Sequence, residues 1–313
     1  MITVNDAAAI GDMFGLGPNP VLTGPVARGE VGQVWKLTSE TAAWAIKEAF
    51  EPPHLAEAEH DACYQELVAG AGVNVPHVQR AVDGRVLVDI AGSLIRVYAW
   101  VDLAHTDIWI DPAAVGQVVA SIHRVVCHDA NDVHPWYTAP VGVERWHDLV
   151  VDLHAAGAPF ADQLADQVDE LLALEALLRA PEDLQACHRD LFADNVLATP
   201  TGDLCVIDWE NSGLADPSQE LAVVLFEYGR GQADRVRLLF EAYVHGGGSG
   251  RVQQPGDFSM LIAQLGHIGE IACQRWLDPS RVDERRRNES RINEFLTERI
   301  TIDAIDATLA AVA

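Results

Sequence analysis

One stretch constrains this chain more than any other: residues 187–210, CHRDLFADNVLATPTGDLCVIDWE. It sets His188, Asp190, Asn195 and Asp208 in a fixed order with short gaps. Asn195-Val196-Leu197 reads as a strand, and Thr199-Pro200-Thr201-Gly202-Asp203 as a turn. Leu204-Cys205-Val206-Ile207 is a second apolar run that ends at Asp208. A hairpin of this kind carries Asn195 and Asp208 to the same point. A lone His-x-Asp would fit any surface loop. A longer match, closed by an apolar strand that ends in a carboxylate, does not.

From His188 to Asn195 the string reads H-R-D-L-x-x-x-N, which resembles the catalytic loop of protein kinases and their relatives. Phosphoryl transfer explains these residue types. The transferred group carries spread negative charge, so catalysis is mostly positioning and electrostatics. It needs a carboxylate to accept the acceptor's hydroxyl proton, a role that suits Asp190. It also needs oxygen ligands for a magnesium ion, which suits the amide oxygen of Asn195 and the carboxylate of Asp208.

The chain has 313 residues, enough for two lobes around a shared cleft, and 49% of them are hydrophobic. Net charge is −26, from 47 acidic against 21 basic residues. Such a balance argues against nucleic acid as a partner, since phosphate backbones call for Lys and Arg. It favours a cationic small molecule. No run of about 18 apolar residues is present, so no membrane span is expected. The N-terminus lacks a basic region followed by an apolar run, so no signal peptide is expected. Cys63, Cys127, Cys187, Cys205 and Cys273 are scattered without a CxxC pair and read as reduced residues of a cytoplasmic protein.

In chain order, residues 3–16 read as a helix ended by Gly15, Gly17 and Pro18. Leu22–Leu37 and Ala42–Phe50 read as strands. Between Val26 and Val34 lies ARGEVGQ, where Gly29 and Gly32 would let backbone N–H groups approach phosphates. Taken alone, the pair also fits an ordinary hairpin turn. Ala45-Ile46-Lys47 matches the end of the V-A-I-K signature, with Trp44 in place of Val. Lys36, the only other lysine, lacks that context. Lys47 is therefore the candidate to neutralise the α- and β-phosphates. Residues 53–70 form a helix with Leu55, Ala58, Ala62, Cys63 and Leu67 as its apolar face. Glu59 borders that face and is the candidate partner of Lys47, with Glu57 and Glu66 as alternatives. Further strands are expected at 78–81, 85–88 and 95–101.

Helices are expected from Asp111-Pro112 onward, near 143–154, 160–178, 221–228, 234–243 and 258–276, with a charged segment at 281–299. His123, His128, His134, His147 and His154 show no metal-ligand spacing. On the 258–276 helix, His267, Glu270 and Gln274 share a face. That face would line an acceptor pocket, Glu270 meeting an amine and Trp276 stacking on a sugar ring. Glu210, close to Asp190 and Asp208 in sequence, is a further acceptor-side carboxylate. The alternative for the helix is that this face is merely solvated.

HRDLFADN, the following IDWE and the long helical segment before them together resemble the aminoglycoside phosphotransferase superfamily. Asp208-Trp209-Glu210 stands where protein kinases carry D-F-G. Too few residues follow it for an activation loop, so a small acceptor is favoured over a peptide. The resemblance covers essentially the whole chain. It implies an α+β, protein-kinase-like fold of two lobes. The lobes would be an antiparallel-sheet N-terminal lobe, 1–101, for nucleotide, and a larger helical lobe, 102–313, for catalysis and acceptor. It further implies ATP or GTP, magnesium, and transfer of the γ-phosphate to a hydroxyl. Carried over, Asp190 is the base, Asn195 and Asp208 hold the metal, Lys47 holds phosphates, and backbone near Ala99, Trp100 and Val101 takes the adenine edge. In GLADPSQEL the family more often has Asp where Glu220 stands. Expected acceptors are an aminoglycoside or amino sugar, or else a sugar, homoserine or choline-type metabolite. A catalytically silent nucleotide-binding protein is the reading from a different class.

Overall fold

The computed structural model describes residues 1–29, 32–51, 54–127 and 133–313. Glu30 and Val31, between Gly29 and Gly32 in sequence, lie outside these residues, as does His128. The chain divides into two compact units. The first gathers Met1–Asp107, Val125–Asp129 and His188–Gly213, and the second holds Ile108–Arg124, Ala130–Cys187 and Leu214–Ala313. The hairpin segment thus groups with the amino-terminal sheet rather than with the helices that flank it in sequence.

In the first unit an antiparallel sheet is built from β1 (Val21–Arg28), β2 (Gly32–Thr38), β3 (Ala43–Ala49), β4 (Val78–Gln79), β5 (Val88–Ile90) and β6 (Ser93–Ala99). The order is β1-β2-β3-β6-β4, with β5 also paired to β6. Side chains alternate along each strand, so one face of β2 and β3 is apolar. Trp35, Leu37, Trp44 and Ile46 pack there with Ile95, Val97, and Ile10 and Phe14 of α1 (Ala7–Phe14). Gly15, at φ 65°, ends that helix in the left-handed region that glycine tolerates. The opposite face is set by register. Val34, Lys47 and Arg96 form one cross-strand row, and Lys36, Ala45 and Tyr98 the next. At the β1–β2 turn the Gly29 N–H donates to Gly32 O over 2.9 Å. A Cβ on Gly32 would sit 2.5 Å from Glu48 O, so the approach of β3 requires a residue without one.

Helix α2 (Leu55–Gly70) departs from expectation. Its inward stripe is Ala58, Asp61, Ala62, Gln65 and Val68, while Leu55 and Leu67 are 67% and 48% exposed. The cause is two polar residues on the buried stripe, each with a partner. Asp61 bonds to Arg96, and the Gln65 amide donates to Pro76 O. The expected hairpin is present: Val196–Ala198 pairs with Leu204–Val206 in the register Val196↔Val206. Its turn closes through Thr199 N–H to Asp203 O, 2.8 Å.

The second unit is helical: α3 (Pro112–His123), α4 (Val143–Ala155), α5 (Ala161–Glu175), α6 (Pro217–Gly229), α7 (Ala233–His245), α8 (Ser259–Leu277), α9 (Arg285–Glu298) and α10 (Ile302–Val312). Asp111 and Asp216 cap α3 and α6 by accepting from Ala113 N and Ser218 N, each helix opening on a proline. Trp146, Leu149, Leu153, Leu164, Val168, Leu171, Cys273, Ile292 and Phe295 form one core from α4, α5, α8 and α9. A second buried point joins α3, α6 and α7. Gly250 N–H donates to Tyr243 Oη (2.8 Å), which frees the hydroxyl proton for His123 Nδ1 (2.7 Å). His123 Nε2–H then donates to Glu220 Oε2 (2.7 Å), so a neutral imidazole satisfies every member. Cys187 Sγ lies within 4.8 Å of these His123 and Glu220 atoms, but both ring nitrogens are already spent. Among the described residues, no helix is long and apolar enough to cross a membrane.

Candidate active site

The hairpin positions its polar residues through backbone bonds. Ile207 N–H donates to Asn195 O (2.9 Å), which sets Asn195 opposite the residue before Asp208. His188 Nε2–H donates to Ile207 O (2.9 Å), and its ring meets Trp209 edge-on at 4.6 Å. Trp209 in turn packs on Tyr64 of α2. Arg189 and Asp208 both adopt left-handed backbone, φ 65° and 62°. Non-glycine residues rarely do so, and such strain is held by the surrounding structure. Here the holders are explicit. The Arg189 guanidinium bonds Asn211 O and Ser212 O and lies where a Cβ on Gly213 would be, 2.6 Å away.

Asp190 is clasped by two amides: Asn195 Nδ2 (2.9 Å) and Asn211 Nδ2 (3.1 Å) both donate to its Oδ2. Asn195 Nδ2 also reaches the Asp190 carbonyl, 2.8 Å. With its nitrogen spent, Asn195 offers its amide oxygen to any further partner. Lys47 Nζ donates to Asp208 Oδ1 at 2.7 Å and forms an ion pair with Glu210. Burial raises the Asp190 pKa, and the nearby Asp208 charge adds to that, against His188, Asn211 and Asn195. Asp208 is driven the other way: burial works against its charge, but Lys47 outweighs it and holds the pKa low. Burial likewise opposes the Lys47 ammonium, yet Glu210 and Asp208 keep it firmly protonated. Two neighbouring carboxylates with opposed shifts are a pattern that separates a proton acceptor from a permanent anion.

Beneath this group lies a second layer that the sequence did not point to. Arg96 Nη1 and Nη2 each donate to Asp61 Oδ2 at 3.2 Å, and Ser212 Oγ donates to Asp61 Oδ1 at 3.3 Å. Tyr98 Oη donates to Glu210 Oε1 at 3.1 Å. A charged residue inside the apolar run Ser93–Ala99 is the one signal that could have flagged Arg96.

The remaining candidates divide. Glu59 does not meet Lys47; it is half exposed and pairs with Arg80 beside Glu66. Ala99 and Trp100 spend their N–H groups in the sheet, on His77 O and Ala43 O, and the Trp100 indole faces Lys36 at 4.1 Å. Val101 is left as the residue of the three whose N–H is not used there. Glu210, expected on the acceptor side, is engaged by Lys47 and Tyr98. In the second unit, Gln274 Nε2 and Arg145 Nε both donate to Glu270 Oε1, at 2.7 and 2.6 Å. His267 donates to Ala139 O and stacks on Trp136 at 5.2 Å. The Glu270 charge is thus already compensated. Trp276 is buried edge-on against Phe160, with Arg285 over its face, so it has no ring surface to offer a sugar.

A family model described as a phosphotransferase enzyme family matches residues 24–254. This chain belongs to that family. The phosphotransferase is also similar in fold to solved structures. A spectinomycin phosphotransferase in complex with ADP and spectinomycin shares 13% identity, with 99% of this chain and 98% of that one covered and a TM-score of 0.73. An aminoglycoside phosphotransferase from Alicyclobacillus acidocaldarius shares 17% over 91% and 90% of the two chains, TM-score 0.57. An amicoumacin kinase in complex with AMP-PNP and Ca²⁺ shares 15% over 94% and 93%, TM-score 0.59. No curated protein matches the phosphotransferase by sequence.

Proposed function

We propose that this phosphotransferase moves the γ-phosphate of ATP, with GTP as the alternative donor, to a hydroxyl of a small, amine-bearing acceptor. The observation that carries the reading is the Asp190 carboxylate. It is held by two amides and biased toward protonation, beside an Asp208 biased toward charge and paired with Lys47. In this reading Asp190 orients the acceptor hydroxyl and takes its proton as the new P–O bond forms and the γ-phosphorus parts from the β–γ bridging oxygen, which leaves with ADP. Lys47 holds the donor's phosphates, the Gly29–Gly32 turn covers them, and Val101 receives the adenine edge.

The donor set fits a magnesium ion: a carboxylate and a free amide oxygen are hard ligands, and the surrounding carboxylates outnumber the cations. Asn195 and Asp208 would hold the ion, which when bound neutralises charge on the phosphates. Asp208 must then exchange part of its contact with Lys47, and Glu210 keeps that ammonium in place. In this reading the sheet unit, which holds Lys47, Asn195 and Asp208, carries the nucleotide.

An amine-bearing acceptor is favoured by the net charge of −26. It is also favoured by the names of fold neighbours, which include kinases of aminopropanol and ethanolamine beside the antibiotic enzymes.

The test is transfer from Mg·ATP to a panel of aminoglycosides, amino sugars, amino alcohols and neutral sugars, read by phosphate incorporation. Asp190→Asn should bind Mg·AMP-PNP like the wild type and lose turnover by about 10²–10⁴-fold. An unchanged rate would remove Asp190 as the base. A panel with no phosphorylated member would remove the acceptor class.

A further inference from the structure

Lys47 and Arg96 are direct cross-strand partners on one face of β3 and β6. Like charges so placed repel. Both are largely out of water, with 19% and 7% of their side chains exposed. The sheet tolerates the pair only because carboxylates interleave with the cations. The sequence in space is Asp61, Arg96, Glu210, Lys47, Asp208. Arg96 forks onto one oxygen of Asp61 at 3.2 Å and lies 4.0 Å from Glu210 Oε1. Glu210 divides its two oxygens: Oε1 accepts from Tyr98, and Oε2 faces Lys47. Asp61 divides its own in the same way, between Arg96 and Ser212.

Kinase-type sites commonly tie their phosphate-holding lysine to a carboxylate on the following helix. Among the described residues, Lys47 is ion-paired with Asp208 and Glu210 rather than with a carboxylate of α2. The inward acid of α2 is Asp61, and it grips Arg96 instead. We propose that Arg96 and Asp61 are positioning residues that hold Lys47 through Glu210, so that the placement of α2 sets the affinity for the nucleotide's phosphates. The inference rests on Lys47 being the phosphate-holding cation, as set out above.

The chain of contacts makes a specific demand. With Lys47 on the donor's phosphates and parted from Asp208, Glu210 would be the lysine's remaining anchor. Glu210 keeps its orientation because Tyr98 and Arg96 occupy the side away from Lys47. Removing Arg96 leaves Asp61 and Glu210 as buried anions without their shared cation, and Glu210 is then free to turn. The loss should appear in phosphate affinity, not in binding of adenosine, which carries no phosphate.

The experiment is calorimetric titration of the full chain with Mg·AMP-PNP and, separately, with adenosine. Circular dichroism would confirm that each variant is folded. Arg96→Met should weaken Mg·AMP-PNP about tenfold and leave adenosine unchanged. Arg96→Lys should lose about threefold, since an ammonium keeps the charge but cannot fork onto Asp61. In a Lys47→Met background, Arg96→Met should cost nothing further, because both act along one path. Equal losses in the two backgrounds, no loss in the wild-type background, or an equal loss for adenosine would overturn the relay. If Arg96→Met does not fold, Asp61→Asn takes its place in the same cycle, with the same outcomes deciding. Failure of the wild type itself to bind Mg·AMP-PNP would overturn the kinase reading and the relay together. Tight wild-type binding with additive losses overturns the relay alone.

Discussion

Two buried polar networks in this protein are built on opposite principles. In the helical unit, Tyr243, His123 and Glu220 form a closed line in which each donor meets one acceptor and one anion faces a neutral ring. In the sheet unit, Asp61, Asp208 and Glu210 share two cations, Lys47 and Arg96, Asp190 beside them rests on two amides, and two backbone positions are strained around them. A satisfied network rigidifies the fold. An oversupplied one stores unfavourable charge that a bound cation can relieve, which is how a functional site differs from a structural one. Substitution should therefore separate the two: changes in the first network should cost stability, and changes in the second should cost activity.

The largest effect should come from Asp208→Asn. It removes the anion opposed to Lys47 and a proposed metal ligand, so turnover should fall by about a thousandfold. The melting temperature should fall by no more than a few degrees, because the Lys47 contact that holds the Asp208 pKa low is lost while Glu210 still pairs the ammonium. Steady-state rates and calorimetry on the same preparation would check this. A variant that stayed active, or lost stability in step with activity, would erase the contrast. Next is Glu220→Leu, which leaves the His123 imidazole facing apolar carbon. It should lower unfolding free energy by about 1–3 kcal/mol, measured by urea titration. The KM for nucleotide should not move at temperatures where the variant is folded. A KM change without a stability change would show that the closed network serves the reaction too.

What could be read from the sequence followed a similar division. The hairpin was legible because its signal is local: Asn195, the turn and Asp208 lie within a few residues, and alternation plus turn chemistry suffice to place them. The antiparallel sheet and the helical unit were legible for the same reason, as periodic runs between breakers. The second layer was not. Arg96 acquires meaning only from the register that sets it opposite Lys47, and no local pattern encodes a pairing between distant strands. Asp61 was hidden by its own burial. A carboxylate and Gln65 on the inward stripe of α2 made Leu55 and Leu67 look like the buried face, which rotated the helix and offered Glu59 in place of Asp61. Trp276 failed differently: a tryptophan at the end of a helix face reads equally well as a stacking platform or as core, and only Phe160 decides.

The smallest effect tests the hidden layer by pH. Burial pushes the Asp61 carboxyl up to about 7, even though Arg96 pulls against it. An unfolded chain releases that proton near the ordinary aspartate value, about 4. Below that value both states hold the proton, and whatever stability the raised pKa brings is fully present. As pH rises from about 4 to about 7 the unfolded state gives up its proton first, so the folded state loses ground through that window and levels off above it. The groups facing Asp61 are Arg96 on β6, Ser212 and Glu210 after the hairpin, so the charge they present is shared rather than its own. Asp61→Asn removes this titration while keeping the shape. The wild type should therefore lose about 2–4 °C of melting temperature relative to the variant between pH 4 and 7. Parallel curves across the window would mean that Asp61 is ionised throughout, held there by a tighter pair with Arg96. In that case the two networks would be alike in being internally matched, and the excess of negative charge in the sheet unit would rest on Asp190 and Asp208 alone.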